Sequence, residues 1–461
     1  MPLLVKNGRI ITPTDDTVAD IYCAADTITR IERGIDPKGL PAGTEVIDAT
    51  GKYVFPGFID PHVHVYLPFM GTYAKDTWDS VSRAALVGGT TTLIEMVCPG
   101  KADEPKDAYA LWLGKAQGTS ACDFTFHMGV TRFDASAEKQ LREIVAGGIR
   151  SFKVFLAYKG ALGVDDRELF QTLRLAKELG VVVTAHCENE TLVAELQAQL
   201  VAEGKTGPEW HEPSRPPRVE AEGVHHLMTF AELTGAEVYV VHTSCEAAVR
   251  EGLAAMDRGV KVHMEVVLPH LILDKSYAEK GGFEGAKYVM SPPLRDKANL
   301  PKMWDHLRSK GIATVGTDHA PFDFETQKVM GKPPKSDFTK IPNGIPSVED
   351  RVNLLYTHGV CEGRIDLHTL VEAASSRAAR IFGLTGKGSI AVGADADLVV
   401  YDPAYRGKIS GKTQLMATDY SAFEGWEIKG RPSVVTVRGA VMARDGKFVG
   451  KLGHGRLAPR A

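Results

Sequence analysis

Between Gly57 and Thr317 the chain alternates short apolar, β-branched runs with longer helical stretches, and this alternation restricts the fold more than any other feature. The strand candidates are Gly57–Val65, Thr90–Val97, Asp123–Val130, Ile149–Leu156, Val181–Cys187, Glu237–His242, Lys261–Val266 and Ala313–Thr317. Helical patterns such as Arg167–Leu179, Ala221–Leu233 and Ala247–Arg258 separate them. Eight strands with helical crossovers match a closed (β/α)8 barrel, an α/β fold that needs about 250 residues, and 461 are present.

The two ends have a different texture. Leu3–Thr12, Ala19–Arg33 and Glu45–Val54 read as strands, with Asn7-Gly8 and Thr50-Gly51 as turn signals. Near the other end, Gly393–Tyr401 and Ser433–Gly439 read as strand and turn, and Asp445-Gly446 as a hairpin. Neither end has enough strands to bury a face alone. Residues 1–55 and 386–461 are therefore expected to combine as one small β-sandwich beside a barrel of residues 56–385. The helix expected over Leu367–Phe382, capped by Asp366, leads from one to the other.

In such a barrel all strands point their carboxyl ends at one rim, so residues distant in sequence meet there. His62 and His64 stand two apart in an extended segment and turn to the same side. Lys153, His186, His242 and Asp318 each lie near the end of another apolar run. Together these six suit a metal centre. Lys153 is the odd member, because an ammonium of ordinary pKa would be repelled by divalent ions. It fits as a carbamate formed with CO2, an N6-carboxylysine whose two oxygens bridge two ions. Such a pair acidifies a bridging water and polarises a carbonyl. Hydrolysis of an amide-like bond is the expected chemistry, with Asp318 carrying the proton and Tyr158 donating to the oxyanion. Taken alone, Tyr158 also reads as a plain loop aromatic. The loops Ser291–Arg295 and Ile341–Pro346 fix their backbone polar groups with prolines, and each reads equally as an ordinary surface turn. His127, His225, His226, His263, His319 and His358 have no such companions and read as structural.

Lys+Arg number 54 against 58 Asp+Glu, and no basic run suggests a nucleic-acid partner. No apolar run reaches the ~18 residues of a membrane helix. The amino terminus leads straight into strand-like sequence, and six scattered cysteines without a CxxC pair suit reduced thiols in the cytoplasm.

The segments Val54-Phe55-Pro56-Gly57-Phe58-Ile59-Asp60-Pro61-His62-Val63-His64, Phe152-Lys153-Val154-Phe155, Thr184-Ala185-His186-Cys187-Glu188-Asn189, Gly316-Thr317-Asp318-His319-Ala320-Pro321-Phe322 and Gly393-Ala394-Asp395-Ala396-Asp397-Leu398-Val399 together resemble the amidohydrolase superfamily. Within it they resemble the dihydropyrimidinase / D-hydantoinase group of cyclic amidases. The resemblance implies a homotetramer whose subunits each hold two divalent ions, zinc first, with manganese or cobalt as substitutes. It implies His62, His64, carboxylated Lys153 and Asp318 on the buried ion, and Lys153, His186 and His242 on the outer one. Tyr158 would assist the oxyanion, and the backbone of Ser291 and Asn343 would hold the amide edge of a ring. The reaction implied is hydrolytic opening of 5,6-dihydropyrimidines or 5-substituted hydantoins to N-carbamoyl amino acids. Dihydroorotases typically carry an arginine after the second histidine, whereas this chain has Val65-Tyr66-Leu67-Pro68-Phe69-Met70. An uncharged ring is therefore expected, since an unpaired buried carboxylate is costly. Leu67, Phe69, Phe155 and Leu162 would wall the substituent. Ala161 and Leu162 stand where related enzymes often have aromatic rings, which should leave room for bulky groups. An allantoinase or dihydroorotase-like amidase is the enzymatic alternative. A collapsin-response-mediator-like scaffold is the non-enzymatic one, and the filled ligand set argues against it.

Overall fold

The computed structural model describes residues 2–461. Eight parallel strands form the barrel: β1 (Phe58–Val63), β2 (Thr90–Val97), β3 (Asp123–Gly129), β4 (Ser151–Phe155), β5 (Val182–His186), β6 (Val238–Val240), β7 (Val262–Val267) and β8 (Thr314–Gly316). They pair in sequence order. Most of these strands are buried along their whole length, as expected where side chains fill the barrel on one face and helices cover the other. Closure between β8 and β1 comes from the first motif itself. Thr317 donates from its hydroxyl to Asp60 Oδ2 at 2.6 Å, and the Asp318 N–H donates to the His62 carbonyl at 2.9 Å.

The covering helices follow local rules. Asp166–Leu179 starts at a capping box in which Asp165 accepts from the Glu168 N–H and Glu168 reaches back, an arrangement worth about 1 kcal/mol at the cap. Leu169, Leu173 and Ala176 recur on its buried face, and Gly180, at φ 65°, ends it in the left-handed conformation. Asp165→Ala would weaken this helix without touching the rim. The helix after Asp366 also starts as expected, with Asp366 accepting from the Thr369 N–H at 2.7 Å. It passes through a π-helical turn at Glu372–Ser376 before ending at Ile381.

The two ends combine into one nine-stranded mixed sheet. Tyr53–Pro56 pairs antiparallel with Leu398–Lys408, which stitches the amino-terminal strands to the carboxyl-terminal ones. Val5, Ile21, Val54, Ala396, Leu398 and Val400 share its apolar core. Asp445-Gly446 is the expected hairpin, both residues at positive φ. Asn7-Gly8 is not a turn. It is a bulge inside Leu3–Ile11, where the register shifts between Val5 and Gly8. A Cβ at Gly8 would lie 2.4 Å from Val54 Cγ2, so glycine there permits close strand approach. The Ala19–Arg33 stretch is likewise two strands, Asp16–Ala24 and Thr27–Glu32, broken at Ala25 with φ 54°.

The last residues close the amino-terminal end of the barrel. The Phe124 N–H donates to the Arg456 carbonyl and the Ala458 N–H to the Phe124 carbonyl. Arg460 is buried and donates to the carbonyls of Phe382 and Phe126 and to Ser151 Oγ. His127 packs on the same group, with Nδ1 2.6 Å from Ser151 Oγ, which agrees with its structural reading.

Candidate metal centre and substrate cup

Period-two alternation decides which side chains enter the barrel. On β4 it turns Ser151, Lys153 and Phe155 together, and on β5 it turns Thr184 and His186 together. The carboxyl-terminal rim therefore gathers one cup lined by His62, His64, Lys153, His186, His242 and Asp318, with Tyr158, Ser291, Asn343, Leu67, Phe69, Phe155 and Leu162 around them. Every residue singled out for the site from the sequence lines this cup except Ala161.

His62 Nε2 and His64 Nε2 lie 3.1 and 3.0 Å from the same oxygen of Asp318. The far nitrogen of His62, Nδ1, lies 2.8 Å from Glu265 Oε1. Burial disfavours the His62 cation, yet Asp318 and Glu265 outweigh it and raise the imidazole to about 9. Burial likewise opposes the Asp318 charge, and His62 and His64 hold that carboxyl well below its usual range. His186 Nδ1 and His242 Nε2 face each other at 2.9 Å. His186 Nε2 is 2.8 Å from Glu188 Oε2, and Arg215 donates to that same oxygen at 2.6 Å. With its Nε2–H donated to Glu188, His186 turns the Nδ1 lone pair toward His242 and the cup.

Lys153 is fully buried, and its amine has no hydrogen-bond partner. Burial pushes its pKa down to about 8. The nearest ring is Phe155, whose centroid is 4.7 Å from Nζ. An orphaned amine among four imidazoles and a carboxylate is a donor set short of positive charge partners only once the amine becomes an anion. The ligand atoms of His62, His64 and Asp318 lie within 4.8 Å of one another, so the residues present fit divalent metal.

Backbone strain clusters here. Tyr158, His242 and Asp318 sit at φ 63°, 39° and 50°, a region costing non-glycine residues about 1–3 kcal/mol when sparsely populated. Gly316 permits the tight packing beneath them, since a Cβ there would lie 2.8 Å from Glu265 Oε2. The Tyr158 carbonyl accepts from the N–H groups of Ala161, Leu162 and Gly163, which winds the loop into a compact turn. Leu162 is buried and lines the cup, whereas Ala161 faces solvent and forms no part of the expected wall. Phe69 packs edge-on against Tyr158, with centroids 5.4 Å apart.

Burial raises the Tyr158 pKa, while Arg215 and hydrogen bonds with Ser291 and Asn343 oppose the rise. Asn343 Nδ2 donates to Ser291 Oγ at 2.9 Å. Among the described residues, no protein hydrogen bond engages the backbone N–H of Asn343 or of Ser291. Glu265, Glu188 and Arg215 escaped the sequence reading. Glu188 carried a signal, since it stands two after His186 in an extended segment. Glu265 carried one too, as a lone acid inside the apolar run of β7. Arg215 lies in a loop with no pattern to mark it.

The amidohydrolase family model matches residues 53–442. A D-hydantoinase of Geobacillus stearothermophilus is 44% identical, covering 100% of this chain and 97% of its own length. A solved D-hydantoinase (dihydropyrimidinase) from Thermus sp. is 63% identical with a TM-score of 0.96, covering 99% of each chain. The solved dihydropyrimidinase from Brevibacillus agri NCHU1002 is 41% identical with a TM-score of 0.97, covering 100% of this chain and 99% of its own. The chain belongs to the amidohydrolase family, in the branch that holds D-hydantoinases and dihydropyrimidinases. Among the described residues no helix is long and apolar enough to cross a membrane.

Proposed function

We propose that this protein opens cyclic ureides by hydrolysis, converting 5-substituted hydantoins and 5,6-dihydropyrimidines to N-carbamoyl amino acids. The observation that carries this reading is the buried, unpartnered Lys153 amine set among four imidazoles and Asp318. Burial lowers the Lys153 pKa to about 8, so far more of the amine is neutral near neutral pH than at the ordinary lysine value. Only the neutral amine adds CO2, so Lys153 is primed for carboxylation. His62, His64, carboxylated Lys153 and Asp318 would hold the inner of two divalent ions, and Lys153, His186 and His242 the outer. When bound, the ions, zinc in this reading, supply Lewis acidity that activates water and polarises a ring carbonyl.

The chain's own groups do the rest. The Asp318 carboxylate, kept ionised by His62 and His64, takes the proton of the attacking water and delivers it to the departing ring nitrogen. The Tyr158 phenol stays protonated and donates to the oxyanion. The free backbone groups of Ser291 and Asn343 hold the imide edge of the ring. Leu67, Phe69, Phe155 and Leu162 exclude water and receive the substituent. Lys153 is the one lysine or arginine lining the cup among the described residues, which favours an uncharged ring over dihydroorotate.

Protein loaded with zinc, manganese or cobalt in bicarbonate buffer should hydrolyse dihydrouracil and substituted hydantoins at least about a hundredfold faster than allantoin or dihydroorotate. Turnover confined to the latter pair overturns the substrate class. A protein that takes up no stoichiometric metal and opens none of the rings overturns the enzyme. Labelling with ¹³C-bicarbonate and NMR on the native protein tests the carbamate directly.

A further inference from the structure

Lys328 is as deeply buried as Lys153, and it plays no part in the chemistry described above. Its Nζ donates to the carbonyls of Val289 at 2.9 Å, Pro342 at 2.7 Å and Gly344 at 2.8 Å. No carboxylate pairs with it among the described residues. An ammonium has three N–H donors and no acceptor, which matches three carbonyls. A neutral amine would turn a lone pair toward one of those oxygens. Burial pushes the Lys328 pKa well down, but three carbonyls within 2.9 Å suit the charged form, which has a hydrogen for each.

The three carbonyls belong to the substrate loops. Val289 lies two residues before Ser291, and Pro342 and Gly344 flank Asn343. Lys328 itself begins a 3-10 turn ten residues beyond Asp318. The loops interlock further: the Gly344 N–H donates to the Val289 carbonyl at 2.9 Å. Gly344 is at φ 152°, and a Cβ there would lie 2.1 Å from the Ala320 carbonyl oxygen. One buried cation thus ties together the segments that carry Asp318, Ser291 and Asn343.

We propose that Lys328 is a positioning residue for substrate, whose ammonium fixes these loops and strengthens the Asn343 N–H as a donor to the ring carbonyl. The carbonyl of Pro342 and the N–H of Asn343 belong to one peptide group. A cation on the oxygen draws electron density through that amide, leaving the N–H more positive, as in any cooperative hydrogen-bond chain. The Asn343 N–H is free of protein partners, so the polarisation is directed at a ligand. This rests on the reading above, in which the Asn343 backbone binds the ring.

Lys328→Met keeps most of the volume and removes the charge. KM for the preferred ring should rise about ten- to a hundredfold, the range of one hydrogen bond involving a charged group. kcat should stay within about threefold of the parent, and the metal content should be unchanged. Lys328→Ala supplies the second arm, because propylammonium replaces the missing atoms beyond Cβ. Added propylammonium should restore KM toward the parent in Lys328→Ala and have no effect in Lys328→Met. A folded, metal-loaded Lys328→Met with parental KM overturns the proposal. So does a fall in kcat accompanied by metal loss, which would mean that Lys328 acts through the metal centre. If Lys328→Met fails to fold, Lys328→Ala decides, and a raised KM that propylammonium leaves untouched also overturns it. A parent inactive on every ring overturns the cyclic ureide reading instead, which separates the two failures.

Discussion

Two clusters at opposite ends of the barrel each set a buried lysine among potential ligand groups and reach opposite electrostatic states. In each, three potential ligand groups lie within 4.8 Å of one another: His62, His64 and Asp318 at the rim, and Asp123, Asp395 and Asp397 where the barrel meets the terminal sheet. At that junction Lys387 Nζ sits 2.5 Å from Asp123, 2.8 Å from Asp395 and 2.9 Å from Asp397. Arg438 adds a second cation against Asp123. Burial works against the Lys387 charge, but the three carboxylates outweigh it and raise its pKa above the ordinary value. In the cup no carboxylate hydrogen-bonds Lys153, and burial wins. The junction supplies its own cations and has no need of a metal. The cup pairs His62, His64 and His186 with carboxylates but leaves the Lys153 amine without a cation-holding partner. A group of acids close together is thus poor guidance to a metal site until the nearest amine has been accounted for.

The sharpest way to break this contrast is to delete the two lysines in turn. Lys153→Ala should cost about a thousandfold or more in kcat/KM and much of the metal, because both nucleophile and carbonyl activation depend on the ions it would bridge. Rate and metal analysis check this, and a variant with full activity and its metal retained would show the two lysines to be alike in kind. Asp318→Asn should keep part of the metal and lose about 10²–10⁴-fold in kcat, the span of general acid–base catalysis. Turnover within about tenfold of the parent would assign the base elsewhere. Lys387→Met should do the reverse, lowering unfolding free energy by about 3–5 kcal/mol by leaving buried Asp397 without its cation and Asp123 with Arg438 alone. Its metal content and kcat below the melting transition should match the parent, as denaturant titration and steady-state assays would show. The smallest effect concerns the apolar wall. Leu162→Phe should lower kcat/KM for 5-benzylhydantoin relative to dihydrouracil by tens of fold, about 1–3 kcal/mol. An unchanged ratio would remove Leu162 from the substituent pocket.

The cup was more legible than the junction for a reason visible in single residues. His62 and His64 announce themselves by their spacing, and Lys153 by its misfit in an apolar strand. Lys387 and Lys328 look like ordinary loop lysines. Asp395 and Asp397 are near Lys387 in sequence, but the third carboxylate, Asp123, is 264 residues away, and Lys328 binds only backbone carbonyls. Asn7-Gly8 misled because a bulge and a turn both draw on the left-handed region that Asn7 occupies at φ 60°, and only the close approach of Val54 to Gly8 separates them.

By itself the sequence determined the alternation of strand and helix, the composite terminal β unit and the identity of the six donors. Those follow from hydrophobic period and local geometry, which act over a few residues; for the six, they decide only that the side chains face one rim, and not that they bind metal. Tertiary structure alone decided which charges are paired. Barrel closure brings Asp318 against His62 and His64, sets Glu188 and Glu265 behind the imidazoles, fills the junction with Lys387 and leaves Lys153 without a partner. Pairing depends on distances between residues hundreds of positions apart and on the solvent that folding removes, and neither is written in any local pattern.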